Sequence, residues 1–250
     1  MATIIMIPAR YSSSRLPGKP LLDIEGRPMV VRVAMAVQAC GADQVVVATD
    51  DERIRRVVSD SGFTAVMTRP DHPSGTDRLQ ETAEHLGLQP NDIIVNVQGD
   101  EPLMPVDNVL QVVRLLEQNP NAQVATLYEP ITTLAMVANP NAVKLIQRQD
   151  GEVMYFSRAG IPYDRDATQT TPGDIWKRHI GLYAYRKSAL DAFVGWPESL
   201  LERLEKLEQL RFMDNGAIIV ADQAAKPVPA GVDTQADLDA VRALFAREVI

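Results

Sequence analysis

The chain has 250 residues, of which 46% are hydrophobic and 23% are charged, a balance typical of a folded globular protein rather than a disordered one. Its 33 acidic and 25 basic residues give a formal net charge of −8, which argues against a surface built to coat nucleic acid. The length allows one large α/β domain or two smaller ones.

The N-terminal segment and the cysteine content limit location and cofactor chemistry. Residues 1–10 lack a charged start and a long apolar stretch, so we expect no signal peptide. No apolar run approaches the roughly 18 residues of a membrane span, which leaves the cytoplasm as the expected compartment. Cys40 is the only cysteine, and this excludes a disulfide framework or a thiolate metal site.

The first half of the chain alternates short β-branched runs with helical patterns. Five runs are predicted as buried strands, at 3–7, 44–49, 64–68, 92–97 and 122–127. A first helix is predicted from about Val30 to Cys40, a second behind a cap at Asp50, and a third over 76–85. This alternation predicts an α/β fold with a doubly wound, mainly parallel sheet and helices on both faces.

The second half of the chain is less regular. Its predicted elements are two strands within 142–159, a polar surface excursion over 160–174, a strand at 179–186, helices to about residue 213, a strand at 217–223 and a closing helix. We interpret 150–215 as a lobe inserted into a single domain that spans 1–250.

A group of cations follows the first predicted strand. Arg10, Arg15 and Lys19 fall within ten residues, separated by hydroxyl side chains and a Pro-Gly turn. In an open α/β sheet a ligand lies beyond the carboxyl ends of the strands, where this loop begins. Its backbone N–H groups and cationic side chains suit a polyphosphate, although a solvated basic turn fits the composition equally well.

The loop matches neither of two common phosphate-binding motifs. Pro20 follows Gly18-Lys19, so no serine or threonine completes a P-loop. The loop also has one glycine where a dinucleotide fingerprint has three.

Motifs along the whole chain narrow the interpretation. The first is PAR followed by SRLPGKPL within 8–21, which looks like the nucleotide-binding loop of sugar nucleotidyltransferases. The motifs that follow, in order, are VATDDERI (47–54), MTRPDHPSGTDRL (67–79), VNVQGDEP (95–102), PNAVK (140–144), YFSRAGIPYDRD (155–166), RHIGLYAYR (178–186), LEKLEQLR (204–211) and GVDTQADLDAVR (231–242). Together they closely resemble the 3-deoxy-manno-octulosonate (Kdo) cytidylyltransferases of lipopolysaccharide assembly.

The resemblance implies a reaction and its partners. CTP and Kdo would give CMP-Kdo and pyrophosphate with the help of Mg²⁺, on a Rossmann-like nucleotidyltransferase fold. The family also implies a homodimer, with sugar-binding and dimer contacts in 150–215, and no nucleic-acid or membrane partner.

The resemblance further assigns roles to individual residues. Those implied as catalytic are Arg10, Lys19 and Asp100. Those implied at the triphosphate are Arg10, Ser12, Ser13, Arg15 and Lys19, and our candidates for reading cytosine are Arg69 and Ser74. Those implied at the sugar are Arg78, Gln98, His179, Tyr183, Glu208 and Gln209, and those implied at the metal are Asp100 and Asp233.

Some of these residues also have purely structural interpretations. Asp100 is compatible with a turn, Arg15 with a surface salt bridge and His179 with a structural role. Asp233 precedes the segment 234–237, which is typical of a helix cap. In favour of a metal, carboxylate and water ligands suit Mg²⁺ in a chain with three histidines and one cysteine.

Two rival functions stay open at this point. The nearer one is a cytidylyltransferase for another 2-keto sugar acid, such as 8-amino-Kdo or a sialic acid. The other is a non-catalytic regulator that binds a nucleotide on the same fold, because a fold alone does not establish a function.

Overall fold

The structure, a computed structural model, describes residues 1–12, 16–169, 171–172 and 175–248. The strands are β1 (Thr3–Ala9), β2 (Asp23–Ile24), β3 (Arg27–Pro28), β4 (Gln44–Thr49), β5 (Thr64–Met67), β6 (Ile93–Asn96), β7 (Val124–Pro130), β8 (Lys144–Gln147), β9 (Val153–Ser157), β10 (Lys177–Arg186) and β11 (Ile219–Gln223). The helices are α1 (Met29–Gln38), α2 (Glu52–Asp60), α3 (Gly75–His85), α4 (Val106–Gln118), α5 (Leu134–Ala138), α6 (Lys187–Gly195), α7 (Leu200–Glu205), α8 (Gln209–Asp214) and α9 (Gln235–Glu248). Within the described ranges, no helix combines the length and apolar character needed to cross a bilayer.

Nine strands form one mixed sheet, which confirms the predicted α/β class and its mainly parallel core. The path through the sheet is β11-β7-β10-β6-β1-β4-β5, and the β8–β9 hairpin attaches to β10. The pairs of β1 with β4 and β6, of β4 with β5, and of β7 with β11 are parallel. Only β10, among the strands on this path, runs antiparallel to its neighbours. The segment 150–215, interpreted from sequence as a lobe, therefore contributes a strand to the middle of the sheet.

The central strand β1 is apolar from Ile4 to Ala9 because helices cover both faces of the sheet. Ile5 and Ile7 pack in the layer that contains α1 and α4. Ile4 and Met6 point the other way, into the layer that contains α3 and α6. Successive side chains of a strand face opposite sides, so a run without polar residues indicates two covered faces.

The cap of α2 lies one residue later than predicted. The side chain of Asp51 accepts a hydrogen bond from the backbone N–H of Arg53 at 2.9 Å, so Asp51 is the N-cap. Asp50, which the sequence analysis assigned to this cap, instead accepts a 2.8 Å bond from Nη2 of Arg78. Arg78 is fully buried, and a buried guanidinium requires a partner of opposite charge.

Three loops meet at the carboxyl edge of the parallel strands. One follows β1, a second contains Gly99 and Asp100 after β6, and the third precedes α9. The second and third loops are joined by a 2.9 Å hydrogen bond from the N–H of Val232 to the carbonyl of Asp100. A Cβ atom on Gly99 would lie 2.8 Å from the carbonyl oxygen of Pro8. The loop after β6 therefore approaches the end of β1 so closely that only glycine fits there.

We predict that Gly99→Ala destabilises the protein by about 1–3 kcal/mol, because the added methyl group would overpack against backbone that cannot rotate away. Chemical unfolding monitored by circular dichroism measures this change. Gly195→Ala is the control, since a Cβ there has nothing within 4 Å. Equal stability of the two variants would contradict the close approach at Gly99.

Candidate active site

A pocket of about 350 Å³ opens where these three loops meet. Its lining combines backbone of the loops with cationic and acidic side chains. The lining residues are Pro8, Ala9, Arg10, Ser12, Lys19, Pro20, Gln98, Gly99, Asp100 and Asp233. The structure therefore brings six of the residues implied by the resemblance to one place, and we call this the first pocket.

Lys19 lies between two aspartates in the first pocket. Its Nζ donates to Oδ2 of Asp100 at 2.5 Å and to Oδ1 of Asp233 at 3.1 Å. The side chain of Lys19 is 13% exposed, whereas those of Asp100 and Asp233 are 33% and 46% exposed. Two carboxylates that are distant in sequence thus face one cation and remain open to solvent.

The helix cap expected near Asp233 is formed by its neighbours. Oδ2 of Asp237 accepts hydrogen bonds from the backbone N–H of Thr234 at 2.7 Å and of Asp233 at 3.1 Å. The Thr234 hydroxyl bonds the same carboxylate at 2.8 Å, and these bonds lower the pKa of Asp237. Thr234 and Asp237 therefore provide the cap, and the carboxylate of Asp233 is directed towards Lys19.

Glu101 is a buried acid next to the first pocket. Burial, with the adjacent charge of Asp100, raises the pKa of Glu101 to about 8. Its Oε2 atom has no hydrogen-bond partner among the described residues. A protonated Glu101 at neutral pH keeps a third negative charge away from the Asp100–Asp233 pair.

A second pocket of about 280 Å³ adjoins the first and shares Pro8 and Gln98 with it. Its lining comes from β6, β10, the start of α3 and the turn between α7 and α8. The lining residues are Pro8, Gly75, Thr76, Asn96, Gln98, Tyr183, Tyr185, Lys206, Leu207, Glu208, Gln209 and Phe212. Four of the residues implied at the sugar, Gln98, Tyr183, Glu208 and Gln209, are therefore together in this second pocket.

Polar groups in the second pocket are only partly satisfied within the protein. Thr76 donates to Oε2 of Glu208 at 2.8 Å, and burial raises the pKa of Tyr185, which therefore remains a neutral phenol. Oδ1 of Asn96 and Nε2 of Gln209 are buried and have no partner in the described part of the chain. Because buried polar atoms are normally hydrogen-bonded, a polar ligand in this pocket is the natural partner for both.

Two residues implied at the sugar lie away from both pockets. Arg78 is fully buried, and it donates to Oδ2 of Asp50 at 2.8 Å and to Oγ1 of Thr68 at 2.5 Å. The ring of His179 packs against those of Phe156 and Tyr183 and lines a separate groove along β7 and β10.

The candidates for reading cytosine are also outside the two pockets. Arg69 is 68% exposed in its side chain, and its backbone N–H donates to the carboxylate of Glu81. Ser74 caps α3 and donates to Oδ2 of Asp77 at 2.6 Å. Ser13 and Arg15, implied at the triphosphate, lie outside the described residues.

Sequence reasoning missed several residues of the second pocket, among them Thr76, Asn96 and Lys206. A usable signal existed for Asn96, because it is two residues from Gln98 and side chains with that spacing share one side of an extended chain. Lys206 lies within the motif LEKLEQLR, but only the fold reveals that this residue lines the pocket.

Comparison with known proteins identifies the class. A family model described as cytidylyltransferase matches residues 4–221, and the chain belongs to that family of nucleotidyltransferases. The 3-deoxy-manno-octulosonate cytidylyltransferase of Alcanivorax borkumensis is 53% identical over 247 residues, which is 97% of this chain and 98% of that protein. The enzyme of the same name from Aeromonas hydrophila is 50% identical and covers 98% of this chain and 100% of its own length. The chain is therefore a member of the 3-deoxy-manno-octulosonate cytidylyltransferase family.

Solved structures agree with this assignment. CMP:2-keto-3-deoxy-manno-octonic acid synthetase, solved as a complex with CTP, superposes with a TM-score of 0.90 at 44% identity, over 99% of this chain and 100% of that one. A cytidylyltransferase from Leptospira borgpetersenii gives a TM-score of 0.64 at 16% identity over 99% of this chain and 87% of its own, a likeness of fold alone.

The burial of His179 against Phe156 and Tyr183 can be tested through the pH dependence of stability. Burial, reinforced by the charge of Arg178, lowers the pKa of His179 to about 3. An unfolded histidine binds its proton near pH 6.5, so between these values only the unfolded state is protonated and stability falls as the pH falls. Between pH 7 and 5 His179 should lower the free energy of unfolding of the wild-type protein by roughly 2 kcal/mol. We predict that His179→Gln lacks this decrease.

Urea unfolding at both pH values measures the loss. His85→Gln is the control, because the side chain of His85 is 51% exposed on α3 and should leave the wild-type pH dependence in place. The same loss in His179→Gln as in wild type would show that His179 is not the group responsible.

Proposed function

We propose that this protein transfers the CMP group of CTP to the anomeric hydroxyl of Kdo and releases pyrophosphate. The observation that carries the proposal is the Lys19 ammonium held between Asp100 and Asp233 at the sheet edge, beside a second pocket with unpartnered polar atoms. The cation suits a polyphosphate, the carboxylates suit a metal ion, and the second pocket suits a polyhydroxylated acid.

The nucleotide would occupy the first pocket. Arg10, Ser12 and Lys19 line it and place cationic and hydroxyl groups beside the end of β1. Lys19 would release its carboxylate partners in favour of the triphosphate, and it would stabilise the charge that develops on the leaving pyrophosphate. Ser13 and Arg15 belong to the same loop, and the proposal retains them as triphosphate contacts on the family resemblance.

Mg²⁺ fits the carboxylate pair. Asp100 and Asp233 already accommodate the cationic group of Lys19 between them, and both present hard oxygen donors. No cluster of three or more histidine, cysteine or acidic residues suited to a metal occurs in the described ranges. This agrees with an ion that takes one or two carboxylates and completes its shell with water and phosphate. When bound, Mg²⁺ would supply charge neutralisation at the phosphate and lower the pKa of the attacking hydroxyl.

The sugar acid would occupy the second pocket. Gln98 lies at the boundary of the two pockets, where it can hold the reacting end of the sugar near the nucleotide. Tyr183, Glu208 and Gln209 offer neutral and charged hydrogen-bonding groups, and Lys206 provides a cation for the carboxylate. We leave Arg78 and His179 out of the direct contacts because they lie away from both pockets.

The wider setting of the proposal comes from the family. We propose that the reaction occurs in the cytoplasm, that it serves lipopolysaccharide assembly, and that the enzyme is a homodimer. The 160–174 excursion and the rest of 150–215 are the parts that we expect near the dimer contact. A mass measurement in solution distinguishes a dimer from the 27.5 kDa monomer.

The direct test is turnover. Purified protein with CTP, Mg²⁺ and separate 2-keto sugar acids (Kdo, 8-amino-Kdo and a sialic acid) should release pyrophosphate fastest with Kdo. Faster release with another acid would transfer the function to that substrate. CTP binding without release from any acid would favour a regulator and would overturn the enzyme.

We predict that Asp100→Asn and Asp233→Asn each lower kcat by at least about 10²-fold without loss of fold, since each removes a charge from the proposed metal site. The double variant should be little worse than either single variant, because the second change acts on a site that is already impaired. Asp239→Asn, on the exposed face of α9, is the matched control and should turn over normally. Normal turnover in Asp233→Asn at saturating Mg²⁺ would remove that residue from the site.

A further inference from the structure

One wall of the second pocket is a tight turn that carries much of its polarity. The turn joins α7 to α8 and contributes Lys206, Leu207, Glu208 and Gln209 to the lining. Lys206 adopts a left-handed backbone conformation, with φ of 52°. A non-glycine residue in that region costs on the order of 1 kcal/mol, so surrounding contacts must hold the turn in place.

Arg158 supplies those contacts from outside the pocket. Its Nε donates to the carbonyl of Glu205 at 2.5 Å, and its Nη2 donates to the carbonyl of Lys206 at 3.3 Å. Its backbone N–H donates to Oε2 of Glu205 at 2.9 Å. The guanidinium is thus hydrogen-bonded to the backbone at the end of α7, where the residues that line the pocket begin.

Further bonds anchor Arg158 itself. Its Nη1 donates to the carbonyl of Pro140 at 3.0 Å, and its own carbonyl accepts from Nζ of Lys144 at 2.6 Å. Lys144 is fully buried and also donates to the carbonyl of Asn139 at 2.9 Å. The segment 139–140, the end of β9 and the α7–α8 turn are therefore tied together through two cationic side chains.

This arrangement depends on the shape of arginine. The three guanidinium nitrogens point in different directions within one plane, and each reaches a different backbone carbonyl. A lysine carries its charge and its three donors on one nitrogen, which cannot occupy the three separate positions from which Arg158 reaches Glu205, Lys206 and Pro140.

We propose that Arg158 is a positioning residue of the second pocket: it sets the backbone of the α7–α8 turn, and thereby the placement of Lys206, Glu208 and Gln209 against the sugar acid. Arg158 does not line the first pocket, the second pocket or the groove at His179. The inference rests on the proposed function for the identity of the ligand, but the effect on the turn belongs to the protein alone.

The test compares Arg158→Lys with Arg186→Lys. Arg186 also donates to backbone carbonyls, those of Leu116 and Ala122, but at the opposite end of β6 from the pockets. We expect Arg158→Lys to raise KM for Kdo about tenfold while KM for CTP stays within about twofold of wild type. Arg186→Lys should change neither KM. An unchanged KM for Kdo, or equal rises in both KM values, would overturn the positioning role.

Hydrogen exchange on the ligand-free protein separates this inference from the proposed function. Amides of 205–209 should exchange at least about fivefold faster in Arg158→Lys than in wild type or Arg186→Lys. Unchanged exchange there would overturn the inference even if the enzyme makes CMP-Kdo. If no Kdo turnover occurs, the proposed function fails and exchange alone decides whether Arg158 holds the turn.

Glu205→Gln is a second variant that tests the same network if Arg158→Lys does not fold. It keeps the size of the side chain but replaces one oxygen that accepts from Ser157 or from the N–H of Arg158. A smaller rise in KM for Kdo, about threefold, with the same faster exchange at 205–209 is expected. A fully folded Glu205→Gln with wild-type exchange and KM would contradict the network.

Discussion

The ion pair of Lys19 with Asp100 and Asp233 requires three loops to close on one another at the sheet edge. Each loop follows or precedes a different element, and the pairing distances leave little freedom for any of them. The carboxylates repel each other, so a cation between them is needed whether a ligand is bound or not. In the proposed reaction a metal ion and a triphosphate would take over that neutralising task.

The second pocket follows a different physical rule. Its polarity comes from groups that are buried yet incompletely bonded, such as Asn96 and Gln209. Such groups lower the free energy of unfolding, and the surrounding structure must be rigid to keep them in place. On one side of the pocket the hydrogen bonds of Arg158 and Lys144 restrain the structure, and on another the stacked rings of Tyr183 and Tyr185 do so.

The misplaced cap of α2 has a clear physical origin. The predicted cap at Asp50 followed local helix rules, which do not include the demand of the buried Arg78 guanidinium for a carboxylate. The role implied for Arg78 at the sugar stays a prediction, and in this structure its Nη1 and Nη2 donate to Thr68 and Asp50. The interpretation of 150–215 as a lobe stays a prediction, and the structure adds that its strand β10 enters the sheet antiparallel, a direction that a strand pattern does not carry.

The sequence by itself determined the class of fold, most of the strands and the cationic loop, because these depend on short-range hydrophobic patterns and on the order of motifs. Family resemblance then pointed to the correct family and to many of the polar and charged residues of the two pockets. Only the tertiary structure decided that Asp100 meets Asp233 across Lys19, and that Lys206 joins Asn96 in the second pocket. These contacts join residues far apart in the chain, and their geometry depends on how strands pair and loops close rather than on any local pattern.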